Sequence, residues 1–291
     1  MASHGISSVR RGGLGQRAQT VVVRTICYIL LLVIGASMLI PFLWMISTSL
    51  KNLAEAQIYP PRWIPKDLLW SNYREVMVQI PFPTFIVNSF KISVLGVIGQ
   101  TLTCSMAAYA LARLRFKGRG FLFVLLLSTL MIPYQVTMIP QFLIFKSLGW
   151  VNKHMALIAP FWLGGAFGTF LIRQFFLSLP ADLADAAKVD GCNPFHTYWR
   201  IYMPLTKPAV TTLAVFTFMG RWNDLLGPLI YLNRPLKMTV TAGLSYFQGQ
   251  YYADMPLLMA GSVVSIIPTL VLFAVAQKYF VQGVVLTGIK G

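Results

Sequence analysis

Six long stretches of this chain carry almost no charge, and that restricts its fold more than any other feature. Uncharged runs cover Thr25 to Leu50, Ile92 to Ala112, Gly120 to Phe145, His154 to Ile172 and Met255 to Gln277. A sixth, Pro208 to Asn233, is interrupted only by Arg221 and Asp224. The shortest holds 19 residues, which at about 1.5 Å per residue reaches across nearly all of a hydrocarbon layer of roughly 30 Å. Buried helices of a soluble protein are the rival reading. Against it, 56% of the 291 residues are hydrophobic and only 11% charged, where soluble domains carry about a quarter charged residues. The expectation is an all-α integral membrane protein with six transmembrane helices at about 25–50, 85–112, 120–145, 154–173, 208–232 and 255–280. An N-terminal arm over 1–24, an external loop over 51–84 and a tail over 281–291 complete the division, with 85–280 as the core.

The charges are lopsided, 24 Lys and Arg against 8 Asp and Glu, for a net +16. A nucleic-acid binder would cluster these positives on a solvated face, whereas here they fall in short groups between apolar runs, so no nucleic-acid partner is expected. Arg10, Arg11, Arg17 and Arg24 precede the first run, and Arg113, Arg115, Lys117 and Arg119 follow the second, with no acid in either group. Such loops stay in the cytoplasm. Alternation then puts both termini inside, as an even number of spans requires. The first run is too long for a signal h-region and lacks a small-x-small cleavage site, so it reads as a retained span. Arg10 and Arg11 are a basic flank, since Gly12 and Gly13 follow where a twin-arginine signal would continue differently.

Catalytic and metal constellations are missing from the sequence. His4, His154 and His196 are scattered, no C-x-x-C, H-E-x-x-H or Walker loop occurs, and Cys27, Cys104 and Cys192 offer no outward-facing pair. The expectation is a chain that is not an enzyme and binds no cofactor itself. Gly164 with Gly168, Ala108 with Ala112 and Gly261 with Ser265 are small-residue pairs at helix-packing spacing. Prolines 41, 133, 140, 160 and 268 would kink spans or free backbone groups.

The most informative segment runs from Ser178 to Pro208. Pro180 and Asp182 suit a helix start and Gly191 a left-handed stop, which predicts a short helix of about ten residues. Leu183, Ala186, Ala187 and Asp190 recur on one face of it, small enough to lie close against another surface. Asn193 and Pro194 then cap a second short helix, ended by Pro204, with Phe195, Tyr198, Trp199 and Tyr202 on one face. That aromatic helix could equally rest on the headgroups.

The run Asp185, Ala186, Ala187, then Asp190, Gly191, Phe195, Ile201, Pro204, Leu205 and Pro208 resembles the EAA loop in the membrane subunits of binding-protein-dependent ATP-binding-cassette importers. Asn88-Ser89, Ala107 to Arg113, Trp222-Asn223-Asp224, Phe247 to Tyr251 and the ending Gly288 to Gly291 are similar to the carbohydrate branch, in particular to the second permease of its maltose-type heterodimers. The resemblance implies a type I importer permease fold in a prokaryotic cell membrane. It implies as partners a second permease, two ATP-binding subunits that hold the ATP and Mg, and an external sugar-binding protein. On this reading Leu183 to Asp190 is the coupling helix and Gly191 its turn. Asp185 stands where the family has Glu, carrying the same charge with less reach; Cys192 replaces a small residue and Met203 a common Leu.

Two regions keep alternative readings. Arg221 and Asp224, with Trp222 and Asn223, are either a structural ion pair turned to the bundle interior or part of a sugar path. Tyr246, Phe247, Gln248, Gln250 and Tyr251 are either a contact for the binding protein or an interfacial aromatic belt. A self-contained secondary transporter is disfavoured, because Asp224 is the lone intramembrane carboxylate and no inverted repeat is visible.

Overall fold

A computed structural model describes residues 13–249 and 253–288, with side chains over 19–249 and 253–278. Among these residues there are no strands beyond one isolated bridge between Gln248 and Ala253. Helix α1 (Gly13–Ser49) begins inside the segment read as the arm, and continues unbroken through Pro41. Short helices α2 (Leu53–Ala56) and α3 (Ser71–Gln79) follow. Asn72 fastens this connection by donating to the carbonyls of Ser49 and Lys51, both at 2.8 Å. Helix α4 (Phe82–Arg113) is the long strut of the fold.

Three of the expected spans are broken. The third consists of α5 (Arg119–Ser128) and α6 (Tyr134–Ser147), which meet at a bend of 100°. Pro133 causes it, since it lacks an N–H and takes an extended ψ of 143°. The fourth is α7 (Met155–Ile158), a 3₁₀ turn over Ala159–Leu163, and α8 (Ala166–Ser178). The break falls at Gly164, whose φ of +90° suits glycine. Gly164 is therefore a hinge in the chain and not a helix-packing face. Its expected partner Gly168 does allow close approach: a Cβ there would lie 2.8 Å from Cys104 Sγ and 2.9 Å from Leu213 Cδ1.

The loop after α8 holds α9 (Asp182–Val189), α10 (Pro194–His196), a π-helical turn over Thr197–Tyr202 and α11 (Met203–Leu205). Pro204 does not end this helix as expected. The wide π turn just before it accommodates the missing N–H, and Thr206 still donates to the Tyr202 carbonyl at 3.1 Å. The expected fifth span is split into α12 (Lys207–Trp222) and α13 (Leu226–Tyr231). Here Asp224 Oδ1 takes the Gly227 N–H at 3.1 Å, and Pro228 has no N–H to continue the ladder. After α14 (Val240–Leu244), α15 (Met255–Gly288) runs through Pro268. Among the described residues, four helical segments are long and apolar enough to cross a membrane, five if the bent pair is one span. The α12–α13 pair, the expected fifth span, falls short of that length because of its break.

Two buried clusters hold the bundle. One gathers Tyr109, Phe176, Tyr198, Tyr202, Ile172 and Leu213 around the α9 end of α4. The other gathers Phe82, Phe85, Phe145, Trp222, Tyr231 and Leu257 around its opposite end.

Candidate functional site

Helix α9 stands at the surface of the bundle and ends in a turn that its sequence dictates. Gly191 takes φ +76°, its N–H bonds the Lys188 carbonyl at 3.1 Å, and the Cys192 N–H bonds the Ala187 carbonyl at 2.9 Å. These two bonds satisfy the last carbonyls of the helix and reverse the chain. Asn193 then accepts the His196 N–H at 2.8 Å, with Pro194 in the first helical position, so the two helices abut through a fixed corner.

The exposed face of α9 differs from the small-residue face expected from spacing. Ala187 is only 2% exposed and Leu183 and Ala184 are half-buried, with Ala184 packed on the chain's own aromatic cluster, so that side faces the bundle. Outward stand Asp182, Asp185, Ala186, Asp190 and Val189, the last 88% exposed. Val189 escaped the sequence reading, although a β-branched apolar residue closing a short polar helix was its visible signal. The aromatic face divides as well: Tyr198 and Tyr202 are buried, while Phe195, Trp199 and Pro204 face out.

Beneath α9 the helix ends are tied together. Arg113, at the end of α4, donates to the carbonyl of Phe176 and, at 2.7 Å, to that of Leu179, closing the C-terminus of α8. Its guanidinium also lies 5.0 Å from the Tyr202 ring centroid. Ser105 and Tyr198 hydroxyls pair at 2.7 Å, and burial pushes the phenols of Tyr198 and Tyr202 above their usual range. Both therefore stay neutral, and the Tyr202 hydroxyl is buried without a hydrogen-bond partner among the described residues.

Towards the opposite end, Arg221 and Asp224 form an ion pair at 3.0 Å on the wall of a cavity of ≈ 600 Å³. The guanidinium lies 4.3 Å over the Phe161 ring. Asn223 shares the wall, as do three residues not anticipated: Tyr134, Gln141 and Tyr231. Tyr231 donates to Gln141 Oε1 at 2.8 Å and its hydroxyl lies 3.3 Å from that of Tyr134. An amide inside the third apolar run was the signal for Gln141. Trp222 does not belong here. It is 2% exposed, stacks on Phe218 and donates to the Ser265 carbonyl at 3.0 Å, because one helical residue's rotation from Arg221 turns it toward α15.

In the third expected site, Tyr246 and Gln248 are exposed but Phe247 is buried in the core, where Asp254 N–H bonds its carbonyl at 2.9 Å. Gln250 and Tyr251 lie outside the described residues. Asn88 and Ser89 anchor the nearby connection: Asn88 donates to Leu236 and Met238 carbonyls at 3.0 Å each, and Ser89 Oγ accepts the Val240 N–H at 2.8 Å.

Residues 100–285, which include α9 and the broken α12–α13 segment, match the family described as "Binding-protein-dependent transport system inner membrane component". The chain belongs to that family. This binding-protein-dependent transport component is 33% identical over 87% of its length to the sulfoquinovosyl glycerol transport system permease protein SmoH of Agrobacterium fabrum, covering 89% of it. It is 38% identical over 78% of its length to the arabinooligosaccharides transport system permease protein AraQ of Halalkalibacterium halodurans, covering 81% of it. Among solved structures it is similar to a chain of a bacterial ABC transporter involved in the import of the acidic polysaccharide alginate. The TM-score is 0.78 at 25% identity, with 96% of this chain and 100% of that one covered. The family member thus has an importer permease fold of type I and is a multi-pass prokaryotic membrane protein.

Proposed function

We propose that this chain is one of two permeases of an importer that carries a sugar or oligosaccharide across a prokaryotic inner membrane, with ATP and Mg bound by separate subunits. The observation that carries this reading is α9, an eight-residue exposed helix closed by a left-handed glycine at one end of a membrane bundle. A partner's groove can receive such a helix without unfolding anything. The relatives support the substrate class: a sulfoquinovosyl glycerol permease, an arabinooligosaccharide permease and an alginate transporter all handle carbohydrates.

In this reading α9 lies in the cytoplasm, as do both termini, and Asp185, Ala186, Val189 and Asp190 meet the ATP-binding subunit. Leu183 and Ala187 seat the helix on the bundle, Gly191 fixes its corner, and Phe195 and Pro204 flank it. Closure of the ATPase dimer pushes α9 as a rigid body. Arg113, with Tyr198 and Tyr202 each packed on Tyr109, passes that displacement to α4 and α8, and α4 rocks the walls of the Arg221 cavity. Sugar hydroxyls find donors and acceptors in Asn223, Gln141, Tyr134 and Tyr231, and Phe161 offers a ring face. Tyr246 and Gln248, with Gln250 and Tyr251 beside them in sequence, meet the external binding protein.

Reconstitution into proteoliposomes tests this. Uptake is expected only when a second permease, the ATP-binding subunits, a loaded binding protein and ATP are all present. Ion-gradient-driven uptake by the chain alone would establish a secondary transporter instead.

A further inference from the structure

The sequence leaves one intramembrane charge, Lys91, without a role, and the fold surrounds it with others. Lys91 lies on the wall of a cavity of ≈ 780 Å³ together with Lys153, His154 and Lys237. These come from three separate elements: α4, the connection before α7, and the turn that Asn88 and Ser89 pin in place. Lys237 Nζ donates to the Asn152 carbonyl at 2.6 Å, and His154 Nε2 lies 2.9 Å from the Lys237 carbonyl, which fixes the rim. Among the described residues, no carboxylate lines the cavity. Burial, followed by the charges of Lys91 and Lys237, holds the His154 imidazole below its usual range. Remaining walls are apolar: Leu95, Ile158 and Trp162.

On α4 the apolar residues Val87 and Phe90 before Lys91, and Ile98 after it, are exposed. Helix α4 has 32 residues, so it is about 48 Å long and overhangs a roughly 30 Å apolar layer at both ends. Lys91 is nine residues from its start, about 14 Å along, near where that layer begins. An unpaired ammonium at that depth is costly unless it meets an anion. The partner must also fill an apolar cleft.

The geometry points to a site for an anionic glycerophospholipid, whose phosphate is held by Lys91, Lys153 and Lys237 and whose acyl chain lies along Leu95, Ile158 and Trp162. A free phosphate or an acidic sugar shares the anionic chemistry but leaves the apolar cleft unfilled.

Native mass spectrometry of the full chain, from micelles doped with phosphatidylglycerol or with phosphatidylcholine, tests the site. The wild type is expected to retain one phosphatidylglycerol and no phosphatidylcholine. Affinity should fall roughly fivefold for each lysine replaced by Gln, about a hundredfold for Lys91, Lys153 and Lys237 together. Lys146→Gln, in the last turn of α6 and not on the cavity wall, should change nothing. If the triple variant does not fold, Lys91→Gln and Lys153→Gln singly carry the test at fivefold each. Equal retention by wild type and variants would overturn the proposal. Displacement of the lipid by millimolar inorganic phosphate or galacturonate would overturn it too, and make this a soluble-anion site.

Discussion

At the end carrying α9 the helices pack on an aromatic cluster with one cavity of ≈ 230 Å³ beside it, whereas elsewhere in the bundle three expected membrane segments are broken and two cavities of ≈ 600 and ≈ 780 Å³ open. Tyr109, Phe176, Tyr198 and Tyr202 touch ring to ring, with centroids 5.3 to 6.0 Å apart where they pair. Across the bundle, Pro133, Gly164 and the Asp224–Gly227 contact interrupt helices that composition alone would leave straight. Unbroken α4 joins the two. On the proposed function, the aromatic end is where force would enter and the Arg221 cavity is where a solute would pass.

If that contrast is right, truncating the closed cluster costs most. Phe176→Ala, at a site with no exposure, should lower unfolding stability by about 3–5 kcal/mol in nanodiscs. Phe161→Ala on the cavity wall should cost clearly less. Equal losses would erase the distinction between the two ends.

Strain at the α9 corner comes next. A side chain at Gly191 meets nothing within 4 Å, so Gly191→Val suffers only from its positive φ, about 1–2 kcal/mol confined to the loop. Transport should fall more than tenfold while bundle melting barely moves. Normal transport would remove the corner from the coupling route.

The Arg221–Asp224 pair separates its two readings. Its side chains are 24% and 17% exposed, so Asp224→Asn, which strands the arginine, should cost about 1 kcal/mol. Adding Arg221→Met to Asp224→Asn, which keeps the Oδ1 acceptor for the Gly227 N–H, should recover melting. Uptake that recovers with it marks a structural pair; uptake that stays lost marks a path.

The smallest effect concerns pH. His154 is depressed, so the unfolded chain binds its proton more readily, and stability rises with pH up to about 6.5 and is level above. Below that pH the wild type should lose stability that His154→Gln retains. Parallel pH profiles would show that His154 carries none of this dependence.

Much of this was legible in the residues. Uncharged length announced the membrane helices, and Asp182, Gly191, Asn193 and Pro194 announced the α9 corner, because caps are local chemistry. What stayed hidden depended on packing. Spacing put Ala187 on a face with Ala186, but only the aromatic cluster decides which side of a short helix is buried. Similarly, Trp222 adjoins Arg221 in sequence yet points to α15, and Tyr231 and Gln141 meet across ninety residues. The breaks were half visible: Pro133 was flagged, whereas the split before Pro228 needed the Asp224 side chain to capture an amide.

The central claim, that α9 docks into an ATP-binding subunit by its outer face, is tested most directly by paired disulfide trapping in the assembled transporter. Val189→Cys should cross-link to cysteines placed in the groove of the ATP-binding subunit, and Ala187→Cys should not. Cross-linking from Ala187 alone, or from neither position with the complex intact, would contradict the account.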